Sequence, residues 1–164
     1  MVTLRDLTVA DIDDLALINN KGYPAVPLAT VEEMETLFEK CLYRRGAVEE
    51  GGDLVGFVLA LGPGVEYSSE NYAFFESKFD HHFYIDRVVL SDNARGLGVG
   101  TLLYADLFAF AKAHGYGTVT CEVNLEPPNP GSLRFHRRFG FVDVDQQATK
   151  GGSVVVQLLQ APVV

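Results

Sequence analysis

Long apolar runs are missing from this chain. None approaches the ~20 residues a helix needs to cross a bilayer, so no membrane span is expected. Basic residues are scarce: 13 Lys and Arg stand against 22 Asp and Glu, for a formal net charge of −9. That balance argues against general nucleic-acid binding, which leans on basic surface. It is compatible with cationic substrates, through long-range steering. Cysteine occurs only as Cys41 and Cys121, with no CxxC pair. That spacing suits neither a disulfide framework nor a zinc site, and buried thiols are expected. The opening stretch MVTLRDLTVADIDDL has no basic segment leading into an apolar core, so no signal peptide is read there and a cytoplasmic protein is expected. His81-His82 has no third ligand at a suitable spacing, and no metal is expected.

The 164 residues are enough for one domain with a sizeable core, read as a single unit over 1–164. Residues 2–6 suggest a short strand. A helix follows in TVADIDDLALINN, with Thr8 as cap, Asp11 three residues on, and Ile12, Leu15 and Ile18 at helical spacing. Two prolines in GYPAVPL (22–28) break it. TVEEMETLFEKCLYRR (30–45) predicts a second helix with Val31, Met34, Leu37, Phe38 and Cys41 on one face. Strands near 45–50 and 53–61 are joined by a Gly-Gly turn. A polar, aromatic loop is expected over 62–80, long enough to suggest a functional role. A strand (81–90), a helix (98–114), a strand (117–124) and a short helix (131–139) precede a closing antiparallel pair. The order β-α-α-β-β-β-α-β-α-β-β predicts an α/β (α+β) fold with a mixed central sheet.

Between the strand at 81–90 and the next helix lies SDNARGLGVGTLL. Three alternating glycines at a helix start strip side chains from the backbone, where unpaired N–H groups favour an anion. The dinucleotide fingerprint G-x-G-x-x-G fails here: its last position falls on Thr101 or Leu103. The P-loop fails because no G-K-[ST] follows. What remains is Arg95-x-x-Gly98-x-Gly100, and downstream stands NPGSLRFHRRFGF, with Ser132 three residues after Asn129, His136 four further on, and then Gly140-Phe141. On these two linked motifs, and on its N-terminal LRDLTVADIDDLALI, the chain resembles the GNAT N-acetyltransferase superfamily over nearly its whole length.

The resemblance implies a GNAT fold with two splayed parallel strands and acetyl-CoA as co-substrate. The pyrophosphate would rest on Arg95, Gly96, Leu97, Gly98, Val99, Gly100 and Thr101. The pantetheine arm would lie along backbone groups of Val88, Val89 and Leu90 like an added strand, with Asn129 and Ser132 also on the cofactor. His136 stands where the family most often has Tyr, whose hydroxyl protonates the leaving thiolate. A histidine could do so as the imidazolium or by relay, and its ordinary pKa of about 6.5 suits that. A proton must also leave the substrate ammonium before it can attack; Asp86 is the candidate base, with His81, His82 and Glu122 as further candidates. Tyr23, Tyr84 and Phe74 are candidate substrate contacts, and the acceptor is read as a small-molecule amine or a peptide N-terminus. Homodimers are common in the family. The expected activity is acyl transfer from acyl-CoA to an amine; the rival reading is a CoA-binding module without transfer.

Overall fold

The computed structural model describes residues 1–164. Seven strands form one mixed sheet in the order β1-β2-β3-β4-β5-β7-β6, and five α-helices accompany it. By their internal contacts the residues divide into two compact units, Met1–Leu61 with Ile85–Phe110, and Gly62–Tyr84 with Ala111–Val164. β4 (His82–Leu90) begins in the second unit and ends in the first.

The first unit contains β1 (Thr3–Asp6), α1 (Ile12–Lys21), α2 (Val31–Lys40), β2 (Tyr43–Val48), β3 (Leu54–Leu61) and most of α4 (Val99–Ala113). β1, β2 and β3 run antiparallel in sequence order. β3 reads LVGFVLAL, and every residue after Leu54 is buried, as befits a strand with neighbours on both sides. Its buried Val, Leu and Phe side chains each contribute roughly 1.5–3 kcal/mol. α2 starts at a capping box: Thr30 accepts from the Glu33 N–H and Glu33 accepts from the Thr30 N–H, both at 3.0 Å, which satisfies two donors the helix leaves unpaired. Met34, Leu37 and Phe38 form its buried face, but Val31 is 41% exposed. The helix ends at Lys40, and Cys41 adopts extended backbone. The predicted helix over 30–45 is therefore too long: pairing of Tyr43–Val48 with β3 overrides the local helical pattern.

Thr8 and Asp11 start a short 3-10 turn before α1 rather than α1 itself. Asp11 accepts from the Thr8 N–H at 2.8 Å and takes both Arg5 guanidinium nitrogens at 2.8 and 2.9 Å. The Arg5 hydrogen bonds, joined by Thr8 and working against partial burial, hold the Asp11 carboxyl below its usual range. A depressed carboxylate stabilises the fold above its unfolded pKa of about 4, and that contribution is lost as pH falls through the folded value. Asp11→Asn is expected to cost about 1 kcal/mol at pH 7, with allowance for the exposed Arg5, and to lose less stability than the parent between pH 5 and pH 3. Urea midpoints across that range check both.

The second unit holds α3 (Glu70–Lys78), the start of β4, β5 (Thr118–Glu126), α5 (Pro130–Arg138), β6 (Val142–Thr149) and β7 (Val154–Pro162). β7 lies between β5 and β6 and is antiparallel to both. β4 and β5 form the parallel pair, with His82, Phe83 and Tyr84 opposite Thr118, Val119 and Thr120. α3 corrects the expectation of an irregular loop over 62–80. Ser69 caps it by accepting from the Tyr72 N–H, and Tyr72 and Phe75, one turn apart, are buried. The Tyr72 hydroxyl donates to the Gly62 carbonyl and accepts from the Val65 N–H, so the incoming chain folds back onto the helix.

Candidate active site

In the first unit the end of β4 is pinned to β3, because Ser91 donates both its N–H and its hydroxyl to the Val55 carbonyl, at 2.9 and 3.0 Å. A 3-10 turn at Asp92–Ala94 buries Ala94 as its anchor and delivers the chain to the glycines. Gly96 and Gly98 both have φ +76°, the left-handed region, and an added Cβ at either would meet nothing within 4 Å. Glycine is thus required by the backbone, and the space above it is open. The first hydrogen bond into α4 runs from the Leu102 N–H to the Gly98 carbonyl at 3.0 Å. The N–H groups of Val99, Gly100 and Thr101 therefore have no partner within the helix. They lie at its positive end, where an anion is favoured. α4 is itself held in place: the Tyr43 hydroxyl donates to Asp106 at 2.6 Å, and Arg45 lies 3.2 Å from the same oxygen. Burial, then the Asp106 carboxylate, push the Tyr43 phenol well up, so it stays a donor.

A continuous segment thus carries Val88, Val89 and Leu90 on β4 and Arg95 to Thr101 in the turn. Arg95 and Leu97 are exposed. Arg95 also lines a cavity of about 630 Å³ bounded by α1, the β2–β3 hairpin and residues 90–93; its lining mixes Lys21 and Arg95 with Asp14, Glu49, Asp53 and Asp92. Asp86 sits 3.2 Å from Arg87 with its side chain 6% exposed. Arg87 also donates to Asn19 and to the Pro27 carbonyl, each at 2.8 Å. This network ties the segment after α1 to β4. Tyr23, in that segment, is 59% exposed.

In the second unit β4 and β5 present His82 and Tyr84, and Thr120 and Glu122, at alternate positions. The Tyr84 hydroxyl donates to Glu122 Oε1 at 2.6 Å, a short hydrogen bond that fixes the carboxyl group against β4. His82 is fully buried; its Nε2 is 2.7 Å from Glu76 Oε1 and its Nδ1 is 3.0 Å from Thr120 Oγ1. The rings of Tyr72 and Phe75 pack against both His82 and Tyr84. Phe74 is half-buried, edge-on to Phe75 with the Lys78 ammonium over its ring. Tyr84 is 1% exposed, so its hydroxyl serves Glu122 rather than offering an open ring to a substrate. Sequence reasoning ranked Glu122 behind Asp86 and gave Glu76 and Thr120 no part. Alternation along β4 and β5 places these residues on a face, but only the parallel register pairs them.

The second motif has a local physical account. Asn129 caps α5 by accepting from the Ser132 N–H at 3.4 Å, and Pro130 follows at the first helical position. Gly140, at φ +104°, turns the chain out of the helix. His136 is 2% exposed, with Phe141 edge-on at 5.1 Å. Its Nδ1 lies 2.7 Å from the Ser132 carbonyl and 3.3 Å from the Ser132 hydroxyl. A carbonyl only accepts, so Nδ1 carries hydrogen and Nε2 is the acceptor in the neutral ring. Burial lowers the His136 pKa, with the Ser132 carbonyl opposing it in part. The imidazolium that an acid role needs is therefore disfavoured near neutrality. A lowered histidine pKa also means that the unfolded chain takes up the proton first, so this site loses stability as pH falls through about 6.5. His136→Phe is expected to flatten the fall in unfolding midpoint between pH 7 and pH 5, and to leave the pH dependence of kcat with its parental form. A lost limb in that profile would return the imidazolium to the chemistry.

A sequence model of the Acetyltransferase (GNAT) family matches residues 12–141. No curated protein sequence matches the chain. Among solved structures, Ard1 from Thermoplasma volcanium superposes with a TM-score of 0.79 at 19% identity, covering 99% of this chain and 98% of that one. Naa20 from Chaetomium thermophilum, in complex with a bisubstrate analogue, gives 0.78 at 21% identity over 98% and 86%. A GNAT superfamily phosphinothricin acetyltransferase from Sinorhizobium meliloti, in complex with AcCoA, gives 0.75 at 23% identity over 99% and 88%. No helix is long and apolar enough to cross a membrane.

Proposed function

The chain belongs to the GNAT acetyltransferase family, and from that premise we propose that it transfers an acyl group, acetyl first among them, from acyl-CoA to an amine by direct attack in a ternary complex. The observation that carries this reading is the open turn: left-handed Gly96 and Gly98, with no atom where a Cβ would stand, leading into the N–H groups of Val99, Gly100 and Thr101. Such converging donors fit a pyrophosphate. Val88, Val89 and Leu90 offer main-chain groups to the pantetheine arm, Arg95 flanks the phosphates, and Asn129 and Ser132 border the cofactor.

Bound acyl-CoA supplies an activated thioester. The residues of the chain do the rest. Glu122, oriented by the Tyr84 hydroxyl, accepts the proton that the substrate ammonium must lose. Backbone N–H groups near Val88 to Leu90 polarise the thioester carbonyl. The nitrogen–carbon bond forms, the carbon–sulfur bond breaks, and the second nitrogen proton leaves with the thiolate. His136 shapes its surroundings as a neutral ring, and Asp86 acts through Arg87 on the segment after α1. The acceptor is a small-molecule amine or a peptide N-terminus.

Calorimetric titration tests the cradle. Acetyl-CoA should bind one-to-one, and adenosine 3′-phosphate 5′-diphosphate should compete with it. Absence of any CoA binding would sink this reading and the non-catalytic one together.

A further inference from the structure

We infer that Glu76 and His82 form a positioning pair, which sets the register in which Tyr84 meets Glu122. The inference rests on the assignment of Glu122 as proton acceptor. Both ring nitrogens of His82 are engaged in a fully buried position, Nε2 to Glu76 on α3 and Nδ1 to Thr120 on β5. Glu76 is itself fixed from the other side, because its Oε2 accepts from the Gly64 N–H at 2.9 Å.

Stability gives little reason for such a group. Glu76 keeps 30% of its side chain exposed, so its contact with His82 is only partly buried and contributes modestly to stability. Register is a better reason. In a strand, a slip of one residue turns every side chain to the opposite face. His82 and Tyr84 are two residues apart on β4, and Thr120 and Glu122 are two residues apart on β5. The His82–Thr120 link therefore ties the same two strands one step before the Tyr84–Glu122 bond. α3 completes the clamp: Glu76 grips His82, while Tyr72 packs on His82 and Tyr84 with ring centroids 5.7 and 5.5 Å away. Segment 62–80, long enough to suggest a functional role, thus acquires a task behind the proton acceptor.

Three variants test this: Glu76→Ala, Glu76→Gln and, as reference, Glu122→Gln. Glutamine can still accept from His82 through its amide oxygen, without the charge. Glu76→Ala should lower kcat by roughly 10- to 100-fold, since small misplacements of a reacting group have effects of this order, with KM for acetyl-CoA unchanged. Glu76→Gln should recover most of the loss. A second readout needs no turnover: the short Tyr84–Glu122 hydrogen bond should give a low-field hydroxyl proton resonance in the free protein. It should persist in Glu76→Gln and vanish in Glu76→Ala and in Glu122→Gln. Retention of both kcat and resonance in Glu76→Ala would overturn the inference. So would equal losses in the alanine and glutamine variants, which would mark a merely structural contact. If Glu122→Gln stays fully active, the acid–base assignment fails instead, and the resonance alone decides whether Glu76 positions Tyr84.

Discussion

Glu122→Gln is expected to lower kcat by about 10²–10⁴-fold, the usual contribution of a positioned acid or base, while acetyl-CoA affinity stays within a factor of two or so of the parent. The exchange keeps size and hydrogen-bonding capacity, so Tyr84 retains a partner and β4 and β5 keep their register. Only the ability to take a proton is lost. Asp86→Asn supplies the contrast. Asp86 lies against Arg87, which holds Asn19 and the Pro27 carbonyl, so this change should appear chiefly in the unfolding midpoint. Steady-state kinetics with one amine, combined with calorimetry for acetyl-CoA, separates the two residues. A larger kcat loss at Asp86 than at Glu122 would exchange their roles.

Gly98→Val should weaken acetyl-CoA binding by about 10- to 150-fold, the equivalent of losing one charge-assisted hydrogen bond of ~1.5–3 kcal/mol. Two effects combine. At φ +76° a β-branched side chain is strained. The valine methyls would also stand in the open space above the start of α4, where a phosphate would rest. No protein atom lies within 4 Å of the new Cβ, so the cost to the fold is the left-handed strain of the turn, which the unfolding midpoint reports separately from the loss of affinity. Gly98→Ala carries the left-handed strain with a smaller obstruction and should lie between valine and the parent. Undiminished affinity in both would remove the pyrophosphate from this turn.

The glycine turn was legible in the sequence because its determinants are local. Positive φ, a missing side chain and a helix start all lie within ten residues. The short helix α5 was legible close to its observed bounds, although Asn129 was read as a cofactor contact and not as its cap. Helix α3 was not, since its only apolar repeat is Tyr72 and Phe75, and its stability comes from packing on His82 and Tyr84. The end of α2 was misplaced because β2 forms by pairing with β3, a contact the local pattern does not contain. Tyr84 and Glu122 are 38 residues apart, and no spacing rule joins them without the parallel register. His136 was singled out from its motif, but its charge depends on burial that the motif does not report.

Thiol release in the presence and absence of amines tests acyl transfer most directly. The protein is incubated with acetyl-CoA and a panel of small amines and peptides with free N-termini, and free CoA is measured against acetylated product. Transfer predicts release that requires an amine, matches product one-to-one, and falls sharply in both Glu122→Gln and Gly98→Val. Tight acetyl-CoA binding with no amine-dependent release across the whole panel would contradict it, and would leave a CoA-binding module in its place.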